Sequence, residues 1–318
     1  QFALQEMHWM RIEWIKVFKT KVWSVFNSLK ININKFNILL KTYGYLSLNK
    51  VKIMANQKKT KIIAVKTYEN GFMVQPFAFG GEEGMENFDP SIKYRASLQN
   101  YLIDTGDEVI LVDTDMPKEF PDMEVEEDTM IHNGARITDY MSALNELGYK
   151  AEDVSKILIT HKHPDHTGEL RNFPNAKVYM SKREAEDLGS DADNIIPVEY
   201  GSGSYYNFEK SEKIADGIYL IEAIGHTNGN SIVIAEDDGL FYMIHGDITY
   251  TDEALYANKL SIIFEDLPKA RETLDNVREF ISNNPTVYLS THTPYGPENL
   301  EDKKIVDLNN PPEPIYFE

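Results

Sequence analysis

The spacing of apolar and polar positions changes character near residue 60. From Lys61 onward, short apolar runs alternate with stretches of helical periodicity, the pattern of an α/β chain. Lys61 to Thr67 and Phe72 to Pro76 read as two strands around an Asn70-Gly71 turn, a dipeptide that favours tight hairpins. Ser97 to Asp104 and Glu108 to Asp113 read as a second hairpin, turned at Thr105-Gly106-Asp107. Arg136 to Leu147 places Ile137, Tyr140, Met141, Leu144 and Leu147 at helical spacing, with Gly148 as its stop. Ile157 to Thr160 and Lys177 to Met180 are short strands, and Ser181 caps a helix with Glu184 at the capping-box position. Gly217 to Ala223, Ser231 to Ala235, Leu240 to Ile244 and Thr286 to Ser290 are further strands, and Pro268 to Ser282 is a helix. Pro117 to Asp128 and Gly189 to Phe208 read as loops or insertions. Because hairpins are frequent among the alternating elements, the expectation is an α/β (α+β) fold of mixed sheets with helices outside them.

Charge separates the chain into two parts. The 318 residues carry a net charge of −19, but residues 1–53 hold nine Lys or Arg against two Glu, a net of +7 that leaves −26 for the rest. All three tryptophans (Trp9, Trp14, Trp23) lie in that first part, and Met54 then opens a stretch that reads like an ordinary domain start. Residues 1–53 are therefore read as a basic extension outside the fold, and residues 54–318 as the working domain. Two alternatives stand beside this: a basic amphipathic helix from Trp9 to Phe26 that meets a membrane surface or a partner, or an integral helical piece of the domain. Lys and Arg interrupt every apolar stretch of the extension, which argues against a secretory signal. No run of about 18 apolar residues exists, so no membrane span is expected. The acidic remainder repels phosphate backbones, so nucleic acid is not expected as a partner. The absence of cysteine excludes disulfides, thiolate metal ligands and a cysteine nucleophile.

The chemistry concentrates in one string, Thr160-His161-Lys162-His163-Pro164-Asp165-His166-Thr167-Gly168, which offers four metal-ligating side chains within six residues. His161 and His163 leave a strand end and can point to one side, because side chains alternate there. Gly225-His226, Gly246-Asp247 and Thr291-His292 each follow a strand, where loops of α/β folds gather around sites. Isolated histidines usually pack or face solvent. Burying this many polar groups together without a cation would cost several kcal/mol, on the order set by unpaired buried polar groups. Imidazole with carboxylate suits Zn2+, Fe2+ or Mn2+ without choosing among them. The three remaining histidines, His8, His132 and His245, read as structural or surface residues, with His245 also placed to orient a ligand.

These motifs together resemble the metallo-β-lactamase superfamily over roughly Lys61 to Thr293. The resemblance implies an αββα four-layer sandwich with a metal site at the sheet edge. It implies two divalent ions per chain, Zn2+ first and Fe or Mn as alternatives. His161, His163 and His226 would hold one ion, Asp165, His166 and His292 the other, and Asp247 would bridge them. Within the superfamily the chain is most similar to the N-acyl homoserine lactonases, which keep all seven ligands and carry a Tyr three residues beyond the bridging Asp, here Tyr250. The implied activity is opening of a lactone or ester by a metal-bridging hydroxide. In that scheme Tyr250 donates a hydrogen bond to the oxyanion, and Asp165 passes a proton to the leaving alkoxide. A glyoxalase II-like thioesterase is the alternative, set back by the 26 residues that follow His292, too few for that group's helical domain. A mononuclear iron persulfide dioxygenase is more distant, since it shares only His161, His163 and His226. The Tyr205-Tyr206-Phe208 segment and a Phe72 to Phe79 hairpin either line an acyl pocket or belong to the core. A cytoplasmic enzyme acting on a small acyl substrate, compatible with a homodimer, completes the expectation.

Overall fold

Strands that are apolar on both faces must be covered on both faces, and this governs how the chain folds. In the computed structural model, which describes residues 60–189 and 193–318, two mixed sheets supply each other's inner cover. The basic extension read at residues 1–53 lies outside the described residues. The first sheet has seven strands in the order β4-β1-β2-β3-β5-β6-β7. They are β1 (Lys61–Val74), β2 (Lys93–Asp104), β3 (Val109–Val112), β4 (Ile131–Arg136), β5 (Val154–Leu158), β6 (Lys177–Ser181) and β7 (Ile195–Val198). The second has six, in the order β13-β12-β11-β10-β9-β8. These are β8 (Gly203–Tyr205), β9 (Phe208–Ala215), β10 (Ile218–Glu222), β11 (Ser231–Asp237), β12 (Leu240–Ile244) and β13 (Thr286–Leu289).

Alternation along the strands assigns the layers. Tyr101, Ile103, Ile110 and Val112 point inward and meet Leu220, Val233, Ile244 and Leu289 of the other sheet. Leu102 and Leu111 point outward, into a cluster with Tyr140, Ala143 and Leu144 of helix α2 (Tyr140–Glu146). On the far side, Ile232, Ile234 and Met243 pack under Leu274, Val277 and Phe280 of α6 (Leu267–Asn283). Helix, sheet, sheet, helix is the order of layers, as expected. Shorter helices complete it: α1 (Gln75–Glu83), α3 (Pro164–Thr167), α4 (Lys182–Leu188), α5 (Asp252–Ala257) and α7 (Tyr295–Asp302).

Several local expectations are corrected. Asn70-Gly71 is not a hairpin turn: β1 runs through it, with Asn70 at φ 61° and shifts of register against β2 between Lys66 and Tyr68 and between Tyr68 and Gly71. The left-handed residue that a turn would use serves a bulge that bends one long strand across both β2 and β4. The Phe72 to Phe79 stretch is therefore a strand end followed by α1, with Pro76 in its first turn. The helix expected from Arg136 starts later, at Tyr140, because Asp139 caps it by accepting from the Ser142 amide, and residues up to Arg136 pair with β1. Gly189 to Phe208 is not all loop, since it contains β7 and β8.

Tyr205, Tyr206 and Phe208 lie against the α6 layer, with ring centroids 6.1, 5.4 and 5.6 Å from Phe280. They belong to the core cluster under that helix or rest on its edge. Phe280→Ala should therefore cost about 3–5 kcal/mol through the cavity it leaves, read as a lower denaturant midpoint. A raised KM at an unchanged midpoint would instead put these rings at the substrate.

Candidate metal centre

Five strand ends converge on one edge of the sandwich. Asp113 follows β3, the segment from His161 to His166 follows β5, His226 follows β10, Asp247 follows β12 and His292 follows β13. β3 and β5 run parallel, as do β12 and β13, so their C-terminal ends open on the same side. Pro164 opens α3 directly after His163, and the His163 carbonyl accepts from the His166 amide, which turns Asp165 and His166 back toward the strand end. Gly225 lets the His226 loop lie on α6: its φ is 144°, and a Cβ there would sit 2.2 Å from the Ala270 Cα.

All seven residues expected as ligands are brought together, in two groups. In the first, His161 Nε2, His163 Nδ1 and His226 Nε2 are 3.0 to 3.1 Å apart. Asp247 Oδ2 lies 3.4 Å from His226 Nε2 and 3.8 Å from His161 Nε2. Tetrahedral coordination with bonds of about 2.0–2.1 Å requires donor separations of roughly 3.3–3.4 Å, so this group suits one small cation. In the second, Asp247 Oδ1 lies 3.2 Å from both His166 Nε2 and His292 Nε2, and Asp165 Oδ2 lies 3.3 Å from His292 Nε2 and 3.7 Å from His166 Nε2. Within each group the ligating atoms fall within 4.8 Å of one another.

Hydrogen bonds behind the rings fix which nitrogen faces inward. Asp113 accepts from His166 Nδ1–H at 2.8 Å, from the Thr160 amide at 2.8 Å and from the Thr160 hydroxyl at 2.9 Å. Because that hydroxyl proton is committed, Thr160 Oγ1 accepts from His161 Nδ1–H at 3.0 Å. His226 Nδ1–H donates to the Ile263 carbonyl at 3.2 Å. His161 and His226 thus present an Nε2 lone pair to the site, and His166 turns its Nε2 toward it. Facing lone pairs repel one another, and buried His166 Nε2, His292 Nε2 and Asp247 Oδ1 have no hydrogen-bond partner among the described residues. Cations between them resolve both problems.

The two groups differ in charge. Burial, reinforced by the neighbouring His166 and His226 rings, holds His161 well below the ordinary imidazole range, and burial brings His226 down to about 4. In the second group burial is outweighed: the Asp247 and Asp165 carboxylates raise His166 well above that range and His292 to about 9. Against its own burial, Asp165 is drawn down to about 2 by His166 and His292.

Asp113 was not among the residues expected at the site. It stands at a strand end like the ligands, which is the signal it offers. Its φ of 63° turns the carboxylate under both Thr160 and His166. His245, expected to be structural or to orient a ligand, lies flat on Tyr288 with ring centroids 3.8 Å apart; neither nitrogen has a hydrogen-bond partner among the described residues. Burial holds it down at about 3, and therefore neutral. Tyr250 is buried at the site, stacked on His292 at 4.9 Å and edge-on to Phe77 at 4.8 Å. A cavity of about 10 Å³ beside His226 and Asp247, walled by Ile224, Ile248, Leu260 and Phe264, has room for about one water. Of the seven candidate ligands only His163 and Asp165 are less than fully buried, so the site meets solvent on their side.

Residues 99–292 match the family described as the Metallo-beta-lactamase superfamily. An N-acyl homoserine lactonase of a Bacillus species is 23% identical over 199 residues, which make up 60% of this chain and 79% of that protein; its counterpart in Bacillus cereus gives the same figures. Among solved structures, an N-acyl homoserine lactone hydrolase with the product N-hexanoyl-L-homoserine at its catalytic metal centre superposes with a TM-score of 0.59 at 18% identity. That match covers 78% of this chain and 97% of the other. AidC, a dizinc quorum-quenching lactonase, superposes with a TM-score of 0.56 at 15% identity, over 75% of this chain and 89% of its own. At these identities the superpositions establish the fold. Among the described residues no helix is long and apolar enough to cross a membrane.

Two expectations follow. A proton must leave His292 before its nitrogen can hold a cation, so protons compete there below pH 9 or so, whereas His226 is neutral above about 4. If each group holds a cation, dialysis from about pH 8 to about pH 5 should release that of the second group first, counted by elemental analysis as a fall to one metal per chain; simultaneous loss of both would refute the asymmetry. Asp113→Ala should weaken binding at the second group by about 10- to 100-fold, and unchanged affinity in a chelator competition would remove Asp113 from the account.

Proposed function

The chain belongs to the metallo-beta-lactamase superfamily as a metal-dependent hydrolase, and from that premise we propose that it is a dinuclear enzyme opening the ring of a lactone, in the manner of the N-acyl homoserine lactonases. The observation that carries the reading is the orientation of Asp247, whose Oδ2 faces the three-histidine group and whose Oδ1 faces His166 and His292. A carboxylate divided in this way suits two cations. His161, His163 and His226 would hold one, Asp165, His166 and His292 the other, and Asp247 both. Divalent ions bound there supply Lewis acidity and a hydroxide nucleophile at neutral pH.

The chain's own groups supply the rest. Burial, with the nearby Asp247 and Asp165 carboxylates, raises the Tyr250 phenol well above its ordinary value. The hydroxyl therefore keeps its proton across the working pH range, and it can donate to an oxygen on which negative charge develops. Stacking on His292 and edge contact with Phe77 fix the ring, so this donor is positioned before the substrate arrives. Asp165 is ionised and keeps contact with solvent, with 17% of its side chain exposed. It is placed to take a proton at the site and return it to a departing alkoxide. The cavity behind His226 holds about one water, too little for an acyl chain, so the substrate lies on the open side. Resemblance to lactonases in sequence and fold, with Tyr250 at the same offset from Asp247, favours a cyclic ester over a thioester.

The test is turnover of matched lactone and thioester panels by zinc-loaded protein. Lactones should be hydrolysed preferentially, and Tyr250→Phe should lower kcat by about 100- to 1,000-fold, the range for loss of one oxyanion donor, with a smaller effect on KM. Exclusive thioester turnover would replace the lactonase reading, and full activity in Tyr250→Phe would remove that residue from catalysis.

A further inference from the structure

Ser181-x-x-Glu184 at the start of α4 has the pattern of a capping box, in which the glutamate returns to the amide of the capping residue. Only half of that box forms. Ser181 Oγ accepts from the Glu184 amide at 3.1 Å, but the Glu184 side chain turns away from the helix and is completely buried. One carboxylate oxygen accepts from the Lys162 amide at 2.6 Å, and the other accepts from the Thr227 hydroxyl at 2.7 Å. Lys162 is the residue between His161 and His163, and Thr227 follows His226. A single buried carboxylate thus holds the two loops that present the whole three-histidine group.

The surroundings are built around this contact. A Cβ at Gly229 would come within 2.6 Å of Glu184 Oε1 and 2.4 Å of Ser181 Oγ, so the loop after His226 closes directly onto the carboxylate. A second tie runs outside it: Lys162 Nζ pairs with Asp187 and Glu265, and Glu265 accepts from the Asn228 amide. That tie is solvent-exposed and of the kind worth on the order of 1 kcal/mol or less. A buried carboxylate would cost several kcal/mol if its acceptors were left unused, so its two bonds are the stronger constraint on where the loops sit.

We propose that Glu184 is a positioning residue for the first metal, setting the separation of His161, His163 and His226 through the Lys162 amide and the Thr227 hydroxyl. It touches neither substrate nor metal. The inference rests on the reading that this group binds a divalent ion, and it assigns that ion's affinity to a side chain outside the ligand set.

The experiment is zinc content and chelator-competition affinity of the full chain, wild type against Thr227→Val, Thr227→Ser and Glu184→Gln, with thermal midpoints of the metal-free proteins alongside. Thr227→Val should weaken one of two zinc ions by about 10- to 100-fold and leave the second near wild type, with a lower metal-free midpoint because the buried carboxylate loses a donor. Thr227→Ser keeps the hydroxyl and should restore the affinity, and Glu184→Gln, whose amide can still accept from Lys162 and donate to the Thr227 oxygen, should weaken it less than Thr227→Val. A wild type with two zinc ions and a Thr227→Val variant of equal affinity would overturn the role of Glu184 and leave the hydrolase reading intact. Equal weakening of both ions in Thr227→Val would reduce the contact to general packing. A wild type that takes up no zinc would overturn the dinuclear reading and this inference with it.

Discussion

One carboxylate sets the geometry of the centre. Asp247 is buried among His161, His166, His226 and His292, with each oxygen turned to a different pair of them. A buried charge must be paired or coordinated. On its Oδ1 side the charge is met by His166 and His292, both raised by the carboxylates. On its Oδ2 side His161 and His226 are fixed by their outer nitrogens as lone-pair donors, which repel one another at distances where a cation would make them attract.

The scaffold achieves this by bringing rigid strand ends together. Apolar strands covered on both faces leave little freedom for the residues just beyond their ends, so side chains placed there inherit the precision of the core. Behind the ligands, Asp113 fixes His166 and Thr160, and Glu184 fixes the loops around Lys162 and Thr227. Charge is distributed unequally over the same frame. The three-histidine group shares a single carboxylate and disfavours protons, whereas the second group has two and attracts them. Two neighbouring groups built from similar residues thus differ in what each exchanges with water.

Much of this was legible from the sequence because ligand chemistry leaves a dense local signal. His161, His163, Asp165 and His166 fall within six residues, and His226, Asp247 and His292 each follow an apolar run that could only be a buried strand. The layered fold was legible for the same reason, since double-sided burial makes those runs continuous. What escaped has a physical cause in each case. Asn70-Gly71 signals a left-handed residue, and a turn and a bulge use that conformation equally well. β7 and β8 are short edge strands; Pro197 interrupts the apolar run of β7, and β8 is Gly-Ser-Tyr, so neither carries the signal of a central strand. Asp113 and Glu184 act through contacts with residues distant in sequence. Glu184 carried a signal, the capping pattern, that named the right residue and the wrong bond.

The clustering of four candidate ligands within six residues also bears on how the proposed centre would acquire its metal. A segment that compact can chelate a cation while the rest of the chain is still unfolded, because closing so short a loop costs little entropy. The ion then binds the unfolded state as well as the native one, and only the difference between the two affinities stabilises the fold. In the proposed centre that difference would fall to His226, Asp247 and His292, which follow strands of the second sheet. Loading can therefore begin on a local handle and finish with folding, and the tightness of the finished centre measures how completely the two sheets have closed on each other.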